Sequence, residues 1–197
     1  MNLETVTLRL AVDQLNIFFP ILQSGVTVPA IVGCSLKGLL CEQFAIPADY
    51  VTDRITTIFL DNRPVDDIDR TVVQDGSRIT LSAAMPGLVG ATMRRGGFYA
   101  ALRQGISHVK ESGASVGACG IVRLKLFNLL LAELGPLILA RGLILEKAEL
   151  DDPLKIFFGL LGDIPTVSSR VLLKVLFSER DHESNRKIIR FIPRRTF

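Results

Sequence analysis

The sequence predicts an α+β protein: a strand-rich unit with one helix over residues 1–97, then a mixed α+β region over residues 98–197. Three observations predict it. Apolar and polar residues alternate with a period of two in several short runs of the first half. One run there, Leu36 to Phe44, repeats instead at helical spacing. A glycine-rich stretch, Gly87 to Gly97, separates the halves, and the charge changes across it. Residues 1–97 carry 8 Lys and Arg against 10 Asp and Glu; residues 98–197 carry 15 against 10. A chain of 197 residues has room for one domain or two small ones.

The elements follow in order. Val6, Leu8 and Leu10 alternate with Thr5, Thr7 and Arg9, the pattern of a strand with one buried face. An apolar run from Leu15 to Leu22 ends at Ser24-Gly25, and Val26-Thr27-Val28 resumes a strand whose edge or end is marked by Pro29. Ser35 is placed to cap a helix from Leu36 to Phe44, with Leu36, Leu39, Leu40 and Phe44 in one stripe; Ile46-Pro47 stops it. Ile55 to Leu60 is rich in β-branched residues and reads as strand. Asp61-Asn62-Arg63-Pro64 is a turn, Val65 starts a short return strand, and Asp75-Gly76 is a second turn. Arg78 to Ser82 is the last strand, with Ile79 and Leu81 inward. After it, Pro86, Gly87, Gly90, Gly96 and Gly97 predict irregular chain.

The order is strand, strand, helix, strand, short strand, strand. That order resembles the ubiquitin-like β-grasp fold, and within it the sulfur-carrier branch: the small subunit of molybdopterin synthase and the thiamine sulfur carrier. The likeness rests on Ile58 to Val65, on Val72 to Leu81 with its Asp75-Gly76 turn, and on the helix start at Ser35-Leu36. It covers residues 1–97 only. In that family the tail ends in Gly-Gly, whose carboxylate is adenylated and converted to a thiocarboxylate. The resemblance therefore makes Gly96 and Gly97 the carrier-tail candidates, with Arg94 and Arg95 flanking them. Met93 to Gly97 also looks like the tail of ubiquitin. Here Gly97 is followed by Phe98, so its carbonyl is an amide. Adenylation, and an adenylating enzyme as partner, would require cleavage after Gly97. A plain loop or linker is the competing expectation.

The second half reads less sharply. Phe98, Leu102, Ile106 and Val109 repeat at helical spacing, with Arg103 and Lys110 outside. Residues 111–117 form a small polar loop without the phosphate-binding pattern of P-loop proteins. Arg123 to Leu134 is expected as a helix closed by Gly135-Pro136, and the Leu137 to Ala148 stretch suits strand and helix equally. Asp151-Asp152-Pro153 marks a helix start, with Leu154, Phe157, Phe158 and Leu161 behind it. Arg170 to Phe177 reads as strand, and Ile188 to Ile192 as a last strand.

Composition narrows the function classes. Hydrophobic residues are 48% and charged residues 22%, which predicts a packed core. Three cysteines, Cys34, Cys41 and Cys119, and two histidines, His108 and His182, give no disulfide framework and no metal-ligand spacing. The expectation is a cytoplasmic protein with no metal and no cofactor. Met1-Asn2-Leu3-Glu4 has the look of neither a basic nor an apolar leader, and the apolar stretch Phe127 to Glu146 is broken by Glu133, Gly135-Pro136 and Arg141, so no membrane span is expected. Arg180, Arg186, Lys187, Arg190, Arg194 and Arg195 make a basic C-terminal stretch. With few aromatics beside it, this fits a solvated face or a protein partner better than nucleic acid. Cys119, in Gly117-Ala118-Cys119-Gly120, is the weak nucleophile candidate for a small enzyme. The leading expectation is a non-catalytic protein-interaction module, linked through the resemblance to a sulfur-transfer or cofactor pathway. A latent carrier or modifier is the alternative.

Overall fold

In the computed structural model, residues 4–103, 105–107, 117–146 and 170–178 are described. They build one mixed sheet of eight strands: β1 (Glu4–Ala11), β2 (Val26–Val32), β3 (Thr57–Leu60), β4 (Arg63–Pro64), β5 (Arg78–Ser82), β6 (Ala118–Phe127), β7 (Leu143–Glu146) and β8 (Arg170–Ser178). Their order is β1-β8-β7-β2-β6-β5-β3-β4. β1 and β8 are parallel, as are β5 and β6; the other pairs are antiparallel. Strands from before and after Gly97 are intermixed in this sheet, so the chain shows no clear split into two separate domains. The expected helix start at Asp151, the final strand at Ile188, the polar loop over 111–116 and the basic C-terminal stretch lie outside the described residues.

One face of the sheet is the core. Val26 and Val28 on β2 stand in register with Leu124 and Val122 on β6, and Leu124 in turn with Ile79 on β5; all are at most 1% exposed. The inward placement of Ile79 and Leu81 is as read from their alternation. The helix over Leu36–Gln43 covers this face with Leu36, Leu39, Leu40 and Phe44 all buried, and the Ser35 hydroxyl caps it by accepting the Gly38 N–H at 3.0 Å. From Gly38 to Gln43 the helix is wound as a π-helix. The Asp61-Asn62 turn takes positive φ at both residues, 50° and 66°, as a two-residue hairpin demands.

Three expectations are corrected. Arg123 to Leu134 is not one helix: Arg123 to Phe127 completes β6, and the helix α4 runs Leu130–Arg141. Val122, Leu124 and Leu126 alternate with Arg123 and Lys125, a period of two that outweighs the leucine content. Gly135-Pro136 does not close that helix but lies within it. A Cβ on Gly135 would stand 3.3 Å from Leu15 and 3.4 Å from Leu22, so this glycine admits the neighbouring helix. The run from Leu15 to Leu22 forms that neighbour, a 3₁₀ segment Val12–Phe18 continuing into α1 (Phe19–Ser24). The third correction is the start of the chain. β1 is not the neighbour of β2; it forms the far edge of the sheet beside β8, and β6 takes the place between β2 and β5. Strand pairing is set by what covers each face, and sequence order does not dictate it.

The same joint is used twice. α1 ends at Gly25 and α4 at Gly142, with φ of 108° and 113°. Each glycine N–H closes on its helix, at 2.9 Å to Ile21 and 3.3 Å to Ile138, and each leads directly into a strand. Only a residue without Cβ enters this conformation without strain.

Pro29 lies in mid-strand, not at an end, yet its reading as an edge residue has a local basis. Among the described residues, β7 pairs with β2 only at Thr27, and no other described strand lies along the rest of that side of β2. Gln43 serves there instead. Its side-chain amide donates to the Ile31 carbonyl and accepts the Ile31 N–H, both at 2.8 Å, as a strand would. Arg141 secures the arrangement: its guanidinium donates to the Gln43 carbonyl and lies 5.0 Å over the Phe44 ring.

Candidate functional site

The stretch after β5 is more ordered than its glycines predict. Gly87–Met93 is a helix, α3, in place of irregular chain. Gly90 fits because a Cβ there would fall 1.8 Å from the Met85 carbonyl oxygen. Residues 94–97 form a turn, with Gly96 exposed at φ 62° and Gly97 half-buried. Phe98–Arg103 follows as a 3₁₀ helix. The candidate tail Gly96-Gly97 is thus irregular, as expected, but it is not loose.

Two arginines dock it. The Arg95 N–H donates to the Thr56 carbonyl at 2.8 Å, and its guanidinium reaches the Val51 carbonyl at 2.7 Å. Burial pushes the Arg95 guanidinium below its ordinary pKa. Arg94, by contrast, is exposed. Arg103 is only 3% exposed and forms a forked pair with Asp66, Nη2 to Oδ1 at 2.6 Å and Nη1 to Oδ2 at 2.8 Å. Its Nε donates to the Thr92 carbonyl at 2.7 Å, and Nη1 also reaches the Ser107 hydroxyl at 2.9 Å. The Asp66 carboxylate additionally accepts the Gly96 N–H at 3.4 Å. The Gly97 carbonyl accepts the Ala100 N–H at 3.0 Å, so the Gly97–Phe98 peptide is part of a turn of helix.

The amphipathic reading of this second segment is inverted. Arg103, expected outside, is buried; Phe98, Leu102 and Ile106, the expected inner stripe, are 92%, 75% and 55% exposed. The reason is the Asp66 carboxylate, which gives the guanidinium a partner that no apolar side chain there would satisfy. Leu88 and Val89 on α3 and Tyr99 add to the surface. Of the eight large apolar residues exposed among the described residues, six lie between residues 88 and 106, so exposed apolar area is concentrated on this helical pair. Sequence reasoning missed Asp66. The signal available was an acidic pair, Asp66-Asp67, directly after a short hairpin.

Among the described residues, which do not include His108 or His182, the cysteines are not brought together with a catalytic base. Cys119 is exposed on β6 with Ile31 opposite it in register, and no described side chain hydrogen-bonds its thiol. Cys34 is half-buried; its thiol donates to the Ile31 carbonyl at 3.3 Å and accepts from Gln43 Nε2 at 3.2 Å. Burial pushes the thiols of both Cys34 and Cys41 up, away from the reactive thiolate. A separate polar cluster ties α2 (Ala48–Asp53) to α4. Glu133 takes the Tyr50 hydroxyl and the Arg54 guanidinium, Nη2 at 2.5 Å and Nε at 3.1 Å. Among the described residues, no helix is long and apolar enough to cross a membrane.

No family model matches the chain, and neither a curated protein nor a solved structure matches it.

Proposed function

We propose that this chain is a non-catalytic protein-interaction module built on a ubiquitin-like sheet. The observation that carries the reading is the exposed apolar surface of α3 and the 3₁₀ helix, fastened to the sheet by the buried Arg103–Asp66 pair. Exposed apolar area gathered on one ordered element marks interaction sites in folded proteins. The partner is a protein with a complementary apolar surface, in the cytoplasm, where three unpaired cysteines are compatible with a reducing milieu. The sequence resemblance points to a sulfur-transfer or cofactor pathway for that partner.

The strand order supports the ubiquitin-like part of this reading, in a permuted form. Starting from β6, the elements run strand (β6), strand (β2), helix (36–43), strand (β3), short strand (β4), strand (β5). That is the order read in the sequence, with β6 in the place first given to β1. The Gly96-Gly97 segment then belongs to the connection from the last of these strands back to the first.

A photo-crosslinking amino acid at Phe98 or Leu102, used in cells, tests the interaction. A discrete protein adduct at both sites and none from exposed Gln23 is expected. The same adducts from all three positions, or none at all, would refute the reading.

The exposed Gly96 turn beside Arg94 keeps one other reading in play, a latent sulfur carrier or modifier activated by cleavage after Gly97. It asks residues 1–97 to work without a covalent link to β6, the strand between β2 and β5. If a chain cut after Gly97 separates into its two pieces, and the 1–97 piece stays folded and accepts AMP from a cognate adenylating enzyme, the carrier reading replaces the module.

A further inference from the structure

The helical pair that carries the exposed apolar residues is built to meet one kind of partner. α3 and the 3₁₀ helix Phe98–Arg103 pack on one another, and Arg103 ties them by donating to the Thr92 and Arg94 carbonyls at 2.7 and 3.4 Å. Leu88, Val89, Phe98, Tyr99, Leu102 and Ile106 are the exposed large apolar residues of this segment. At their exposures the six offer on the order of 700 Å² of surface, above the roughly 300–600 Å² of the largest apolar patch on a typical monomer and near the roughly 800 Å² per partner of a stable interface.

Residues 83–107 contain no aspartate or glutamate. Of their three cations, Arg95 is engaged with the Val51 carbonyl and Arg103 with Asp66, while Arg94 is exposed. A surface without charge at its centre meets an identical copy without repulsion, whereas a partner of different sequence has little there to read but Arg94. The relief is mixed too. Gly87, Gly96 and Gly105 are exposed, and a Cβ on any of them would meet nothing within 4 Å. Bare backbone thus lies among the large side chains, so one patch supplies both the projections and the gaps that a twofold contact between copies requires. At the edge, Arg94 and the Asp66 carboxylate, 43% exposed, carry opposite signs around the Gly96 turn, and a twofold axis allows each to pair with its opposite on the other copy.

We infer that this surface binds a second copy of the chain, in a twofold dimer with the two helical pairs facing each other. The inference rests on the reading of the surface as an interaction site and names its partner. Interfaces between identical chains are the more apolar class, and aromatic anchors near the centre carry much of the binding energy. Phe98, 92% exposed and edge-on to Tyr99 with ring centroids 5.2 Å apart, is the anchor here.

The test uses the purified full chain, its mass in solution followed across concentration by sedimentation. The mass should rise to twice that of one chain. Leu102→Asp brings an unpaired charge from each copy into the contact and should weaken association about tenfold or more. Leu129→Asp adds the same charge at an apolar residue exposed elsewhere and should leave association unchanged. If Leu102→Asp does not fold, Leu102→Ala only shortens the side chain and should weaken association in the same direction. A single-chain mass at every concentration would overturn the inference. Crosslinking of Phe98 to a different protein in cells would then show that the surface still binds and that only the partner named here is wrong. Undiminished association in the Leu102 variants, or equal loss in Leu129→Asp, would overturn it as well.

Discussion

Arg103 and Asp66, thirty-seven positions apart, meet in a forked ion pair with bonds of 2.6 and 2.8 Å, the arginine side chain 2% exposed and the aspartate 43%. This pair decides how the segment around Gly96-Gly97 is presented. It buries the one charged residue of the 3₁₀ helix and turns that helix's apolar residues outward.

Asp66→Ala should loosen the segment without unfolding the sheet. Removing one partner of a charged hydrogen-bonded pair costs about 1–3 kcal/mol. Trypsin cleavage near Arg94 and Arg95 should then accelerate by about tenfold or more, because cleavage of a locally opened segment follows its opening free energy. Mass spectrometry of timed digests reads the rate; an unchanged rate would show that Asp66 does not hold the segment.

Leu40 lies fully buried under the sheet. Leu40→Ala should cost about 2–5 kcal/mol, from lost transfer free energy and the cavity left behind. A urea melt checks this through the shift in midpoint at unchanged slope.

Gln43→Leu should leave the Ile31 N–H and carbonyl without their side-chain partner on the outer edge of β2. The expected cost is about 0.5–1.5 kcal/mol, because water replaces the bonds at this partly open edge. The sharper readout is hydrogen exchange: the Ile31 amide should lose protection while Val28 keeps it.

Glu133 is held at about 2, first by its hydrogen bond from Arg54 and then by that from Tyr50, against an ordinary value of 4.5. The bonds favour the ionised form, so their contribution is complete above about pH 4.5 and is lost as pH falls towards 2. Glu133→Gln should therefore lower Tm at neutral pH, and the gap from the parent chain should close across that window. Thermal melts between neutral pH and pH 2 measure it; a gap constant with pH would refute the assignment.

Where local spacing has one outcome, the sequence reads through to the structure. Leu36, Leu39, Leu40 and Phe44 fall on one helical face wherever that helix goes, and Ser35 caps it from four positions of local chain. Asp61-Asn62 is a tight turn because both residues tolerate positive φ. Arg78 to Ser82 alternates with one buried face for the same local reason. The same spacing rule holds at Val122 to Leu126, whose alternation is that of a strand.

Tertiary structure decided the rest, since it depends on contacts between residues far apart in the chain. Which strand lies between β2 and β5 is settled by which one completes the shared core, and that is β6, not β1. Gly135 reads as a helix stop until Leu15 and Leu22 are seen to need the space beside it. Arg103 belongs on the outside of an amphipathic pattern until Asp66 supplies a carboxylate beneath it. A periodic pattern states which residues share a face; whether that face turns inward depends on the partner waiting there.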